Sequence, residues 1–115
     1  MAEFQHNLDQ VFHALSDPTR RAVIQQLGAG PASVTKLAEP HKMALQSFSQ
    51  HLKVLEDSGL VVTAKEGRVR TCSIADDALV KAQEWIAGQR RRWTEQFDRL
   101  DVYLSELQEG ETGDE

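Results

Sequence analysis

Six polar residues stand close together in one stretch of the chain: Gln46, Ser47, Ser49, Gln50, His51 and Lys53. They are short or neutral hydrogen-bonding side chains, with a cation toward the C-terminal end. Amide and hydroxyl groups match the paired donors and acceptors that base edges present in the major groove of DNA, whereas lysine suits phosphate. On this basis Gln46, Ser47, Ser49 and Gln50 are candidates for reading bases, and His51 and Lys53 for holding phosphate. A structural hydrogen bond is the alternative for His51, and an ordinary solvated helix face is the alternative for the whole set.

The surrounding residues place this group on a helix. Leu45, Phe48, Leu52 and Leu55 recur at three- and four-residue steps, with Val54 beside them, so they share one face that must be buried. Asp57-Ser58-Gly59 ends the helix, with Gly59 as its C-terminal cap. Before it, Val34–Ala38 forms a short apolar segment, followed by a break at Glu39-Pro40-His41-Lys42. After it, Leu60–Lys65 and Arg68–Ile74 are β-branched runs on either side of a two-residue turn, Glu66-Gly67. Lys65, Arg68 and Arg70 gather near the tip, suited to phosphates along a groove edge or, alternatively, to protecting an edge strand from aggregation. Helix, turn, helix and hairpin in this order predict a winged helix-turn-helix: mainly α, with a two-stranded β-hairpin wing.

The remaining segments build the frame. Phe4, Leu8, Val11, Phe12 and Leu15 form a helical stripe over about residues 4–15. Asp17 can cap the next helix, Pro18 fits its first position, Ala22, Val23 and Leu27 point it inward, and Gly28-Ala29-Gly30-Pro31 ends it. Arg20 and Arg21 are assigned to ion pairs within this scaffold rather than to phosphate. The last helix, capped by Asp76 or Asp77, is predicted over about residues 77–107. Leu79, Ile86, Trp93, Leu100 and Leu107 recur every seven residues, with Ala82, Phe97 and Leu104 between them. Such a repeat is a seam for another helix. In so small a domain the simplest partner is the same helix of a second copy, so a homodimer through the terminal helices is expected, with Leu8, Phe12, Leu79, Ile86, Trp93, Phe97, Leu100 and Leu104 at the interface. Arg90, Arg91 and Arg92 are read as solvated or paired with acids such as Glu95. Residues 1–107 form the domain, and the acidic tail 108–115 is expected to be disordered.

Composition narrows the function classes. At 115 residues, 40% hydrophobic and 27% charged, the chain has the usage of one modest globular domain. No membrane span or signal peptide is visible, and a single cysteine allows no internal disulfide; a cytoplasmic protein is expected. The net charge of −5 is concentrated in Glu106, Glu109, Glu111, Asp114 and Glu115, while His41–Cys72 carries five cations against three acids. The proposed interface is therefore locally positive, and local charge sets the field at a groove. His6, His13, His41, His51 and Cys72 have no metal-ligand spacing, and no Gly-rich phosphate loop is present. No enzyme activity, metal or cofactor is expected. Cys72 sits near Arg70, which could lower its pKa, but inert packing is the preferred reading.

Ser16-Asp17-Pro18-Thr19-Arg20-Arg21-Ala22-Val23-Ile24, the tract from Ser49 to Val61 and Glu66-Gly67-Arg68 together resemble the ArsR-type winged-helix repressors, over roughly residues 8–106. The resemblance implies a homodimer that binds an inverted repeat in double-stranded DNA, usually represses, and in many members releases DNA when a metal or other signal binds. Ala44 and Gln46 depart from the Ser and Pro often found at these positions, so the reading helix starts with a poor cap. The Cys-x-Cys pair of arsenic and cadmium sensors is missing from Val34–Ala38, and the last helix has no His for the zinc-sensor ligand sets. The expected function is a sequence-specific DNA-binding repressor. Alternatives are a winged-helix protein-interaction module, or a repressor switched by an organic ligand between the first and last helices near Trp85, Trp93 and Phe97.

Overall fold

Phe48, Leu37, Leu55, Leu60, Val11, Val23, Val61 and Cys72 are the most deeply buried large side chains, and the elements are arranged to bring them together. The structure is a computed structural model that describes the backbone of residues 2–113 and the side chains of residues 8–110. The order is α1 (Ala2–Leu15), α2 (Pro18–Leu27), β1 (Ala32–Ser33), α3 (Val34–Ala38), α4 (Leu45–Asp57), β2 (Val61–Glu66), β3 (Val69–Ile74) and α5 (Asp76–Gly113). This is a winged helix-turn-helix, mostly helical with a small antiparallel wing. Two compact units divide the chain between Ala82 and Gln83, inside the span of α5. No helix among the described residues is long and apolar enough to cross a membrane.

In the first unit, α1 buries Leu8, Val11 and Ala14, while Phe12 remains 37% exposed. Leu8 packs into the core of this unit, and Leu79 packs partly against that core as well. Phe4, placed on the same stripe by the sequence, lies outside the described side chains. Asp17 caps α2 as expected: its carboxylate accepts from the backbone N–H of Arg20 at 3.1 Å, and Pro18 takes the first helical position. Ser33 caps α3, accepting from the Lys36 backbone N–H at 3.2 Å.

The wing differs from expectation in two ways. First, the sheet has three strands in the order β1-β3-β2, because Ala32 and Ser33 pair with Cys72 and Thr71 on the outer side of β3. Two residues are too few to show a strand period in sequence; this strand exists because β3 offers it an open edge. Second, Glu66 pairs with Val69, so the tight turn is Gly67-Arg68 rather than Glu66-Gly67. Gly67 has φ +63°, and no described non-glycine residue has positive φ. Placing glycine first in the turn confines the left-handed geometry to the residue that tolerates it without a Cβ clash. The base of the hairpin is closed by the Ala75 N–H donating to Leu60 O at 2.9 Å.

The second unit is helical. α5 begins at Asp76, so Asp76 and Asp77 stand inside its first turn, where they complement the helix dipole rather than cap it. The helix runs on through Gln108 to Gly113; Asp114 and Glu115 lie outside the described residues. Extending an existing helix adds a hydrogen bond for each residue fixed and avoids the cost of nucleation, and glutamate is a good helix former. Ile86, Trp93, Phe97, Leu100, Leu104 and Leu107 are each between 45% and 66% exposed.

Candidate DNA interface

α4 is held by Phe48, Leu52 and Leu55, each no more than 2% exposed. Burying each such side chain contributes roughly 1.5–3 kcal/mol, so this face fixes the rotation of the helix about its axis. Leu45 does not join them. At 64% exposed it is the first residue of the helix, and the buried stripe begins one turn later. Gln46, Ser47, Ser49, Gln50 and Lys53 are exposed on the rest of the helix. Ala44 precedes the helix without a side-chain cap, so the first-turn amides receive no acceptor from it.

Hydrogen bonds tie α4 and its preceding turn to the frame. His41 Nε2 lies 2.9 Å from Gln26 Oε1, and the Gln26 side-chain amide donates to Leu37 O at 3.2 Å. The His41 ring stacks on Phe48 with centroids 5.4 Å apart. At the other side, Arg20 Nη1 approaches His51 Nδ1 at 3.0 Å. Arg20 is only 8% exposed and also donates to Ala14 O at 2.7 Å and His13 O at 3.1 Å, closing carbonyls at the end of α1. Arg21 Nη1 donates to Leu15 O at 2.8 Å. Both arginines thus serve the scaffold, chiefly through carbonyl hydrogen bonds rather than the expected ion pairs. Burial tends to raise the Asp17 carboxyl, but the Arg20 backbone N–H, the nearby His51 ring and Arg20 guanidinium and the Thr19 N–H outweigh it and hold the carboxyl below its ordinary value.

The wing presents Lys65, Arg68 and Arg70, all exposed. Arg70 Nη2 also donates to Glu56 Oε1 at 3.0 Å, joining the wing to the last turn of α4. Nothing in the sequence marks these two residues as partners, because they are brought together only by the packing of helix against strand. Cys72 faces the core and is fully buried. Burial pushes its thiol up, the nearby Glu56 charge adds to this, and Arg70 opposes it. Cys72 is therefore a packing residue, the reading preferred from the sequence over an activated thiol.

The first unit holds an open cavity of about 220 Å³ lined by Leu8, Val11, the Glu56–Gly59 corner, Asp77, Ala78 and Lys81. Trp85, Trp93 and Phe97 are not among its lining residues, so this cavity is not the aromatic pocket that the sequence suggested.

A helix-turn-helix domain model matches residues 15–64. The HTH-type transcriptional regulator Rv2034 of Mycobacterium tuberculosis is 40% identical over 62 residues, covering 54% of this chain and 58% of that protein. The chain therefore spans a little over half the length of that relative. The transcriptional repressor SdpR of Bacillus subtilis is 28% identical over 79 residues, covering 69% of this chain and 88% of that protein. Among solved structures, the ArsR family transcriptional regulator RHA00566 is 48% identical, with a TM-score of 0.75 over 78% of this chain and 93% of that one. The homodimeric winged helix-turn-helix DNA-binding domain of Mb0332 from Mycobacterium bovis is 26% identical, with a TM-score of 0.62 over 78% of this chain and 85% of that one. With 48% identity across almost the whole of a solved ArsR regulator, and a helix-turn-helix tract matched where α2, α3 and α4 pack together, this chain belongs to the ArsR family of winged helix-turn-helix transcriptional regulators.

Proposed function

We propose that this protein is a cytoplasmic, sequence-specific DNA-binding repressor that acts as a homodimer on an inverted-repeat operator. The observation that carries this reading is the division of α4: Phe48, Leu52 and Leu55 anchor one face, and Gln46, Ser47, Ser49 and Gln50 stand exposed on the rest. The anchored face stops the helix rotating, so the amides and hydroxyls meet base edges in a fixed register. Lys53 and His51 hold phosphate beside the helix, and Lys65, Arg68 and Arg70 hold it along the wing. Two copies place two reading helices in successive major grooves about 34 Å apart.

The homodimer reading is supported by the half-exposed apolar seam of α5 and by the homodimeric state of Mb0332. Repression is supported by the similarity to SdpR. The family is one of transcriptional regulators, not of enzymes.

The test is footprinting on the DNA upstream of the protein's own gene, followed by titration of the protected duplex. Gln50→Ala should weaken operator binding by roughly 1–3 kcal/mol while leaving random duplex almost unaffected. Equal losses on both DNAs would reduce Gln50 to a positioning contact, and absence of any protected, salt-sensitive duplex binding would refute the function.

A further inference from the structure

Arg20 is a buried cation whose nitrogens end on three acceptors from two other helices: Ala14 O, His13 O and His51 Nδ1. A guanidinium carries five N–H donors and no lone pair. Its 3.0 Å approach to His51 Nδ1 is a hydrogen bond only when that nitrogen is bare. The ring proton must then sit on Nε2. Asp17 Oδ2 lies 3.7 Å from the same Nδ1, beyond hydrogen-bond reach, and already accepts from the Arg20 backbone N–H. An imidazolium would set its own N–H against the guanidinium N–H at 3.0 Å.

The other ring nitrogen is open. His51 Nε2 has no hydrogen-bond partner among the described residues, yet it is not sealed from solvent. The side chain as a whole is 24% exposed. It stands on α4 next to Gln50 but is braced against α2, so it cannot reach out to the floor of a groove. A phosphate flanking the groove is the acceptor within its range. We propose that Arg20 is a positioning residue: it fixes the Nε2–H tautomer and the orientation of His51, so that the reading helix offers a neutral, directed N–H donor to a DNA phosphate. This deepens the DNA-binding reading and rests on it. Because the donor is uncharged, it contributes affinity without displacing a counterion, which separates it from Lys53 and the wing arginines.

The test uses the full chain and a 30-base-pair mixed-sequence duplex, since a phosphate contact needs no operator. The ¹⁵N spectrum of the free protein at pH 7.5 should show His51 protonated at Nε2 and bare at Nδ1. His51→Leu should weaken duplex binding about fivefold to tenfold, the loss of one hydrogen bond, with the slope of log K against log salt unchanged. His51→Gln, whose amide N–H₂ can occupy a similar place, should recover most of the loss. Arg20→Met should weaken binding by a similar factor, and the double variant Arg20→Met/His51→Leu should be no weaker than the weaker single. Circular dichroism checks folding; if Arg20→Met does not fold, the tautomer and the His51 variants decide by themselves. Protonation at Nδ1, wild-type affinity in His51→Leu, or additive losses in the double variant would each overturn the inference while DNA binding stands. A wild-type chain that binds no duplex would remove the DNA-binding reading and the inference with it.

Discussion

Leu100→Ala should loosen the proposed dimer about thirtyfold. Leu100 is 50% exposed on α5, in the seven-residue register shared with Ile86, Trp93 and Leu107. Taking a leucine side chain wholly out of water is worth roughly 1.5–3 kcal/mol. Half of that remains to be gained when a second copy covers the residue, about 1 kcal/mol. A two-fold interface uses each position twice, so truncation removes about 2 kcal/mol, or a factor of about 30 in the dissociation constant. Leu100→Asp goes further, because each copy would also have to bury an unpaired carboxylate or protonate it. Sedimentation equilibrium from nanomolar to micromolar protein reads the effect directly. A gel shift on the operator should fall more steeply than the dimer population, since a monomer keeps one half-site and loses the linked second contact. Asp98→Ala is the matched control, two positions away and about 200° around the helix; its dimer constant should stay within about twofold of wild type. The described core of the first unit holds no residue beyond Ala82, so the winged-helix part should keep its helical signal in every variant. A Leu100→Asp protein that remains dimeric at nanomolar concentration and binds the inverted repeat normally would refute the seam.

At the wing, Arg68→Ala should reduce the slope of log K against log salt by about 0.9 on any duplex, as measured by fluorescence titration. Glu56→Gln should strengthen unspecific binding, because it removes a negative charge that holds Arg70 at 3.0 Å; unchanged affinity would mean that Arg70 does not leave Glu56 for DNA. Asp17→Ala should destabilise the fold by about 1 kcal/mol at neutral pH through loss of the α2 cap. Since the folded-state carboxyl lies below its ordinary value of 3.8, that difference should persist above pH 3.8 and vanish as pH falls through the folded value, as read by urea melts across pH. Cys72 should resist a thiol reagent at pH 8 until the chain unfolds. Because burial raises its pKa above 9.0, its contribution to stability should be whole below that value and lost as pH climbs through the raised one; Cys72→Ala should lack this alkaline loss.

Much of this protein could be read locally. Asp17 and Pro18 announce the start of α2 because capping and a fixed proline φ act within one turn. Phe48, Leu52 and Leu55 announce the buried face of α4 because side chains three and four apart stack on one side of any helix. The same periodicity placed Gln46, Ser47, Ser49 and Gln50 together on the other side, so the candidate base-reading set was legible before any fold was known. What tertiary structure decided was where each pattern stops and which distant groups meet. Periodicity assigned Leu45 to the buried face, but the core ends before it reaches that turn. A two-residue β1 has no period to detect and forms only against the free edge of β3. Glycine's place in the hairpin turn follows from strand register, which is set by pairing along the whole ladder. Arg20 and His51 are 31 positions apart and Glu56 and Arg70 are 14 apart. Such pairs leave no mark in a one-dimensional pattern, because only the packing of α4 against α2 and β3 brings their polar atoms within 3.0 Å of each other.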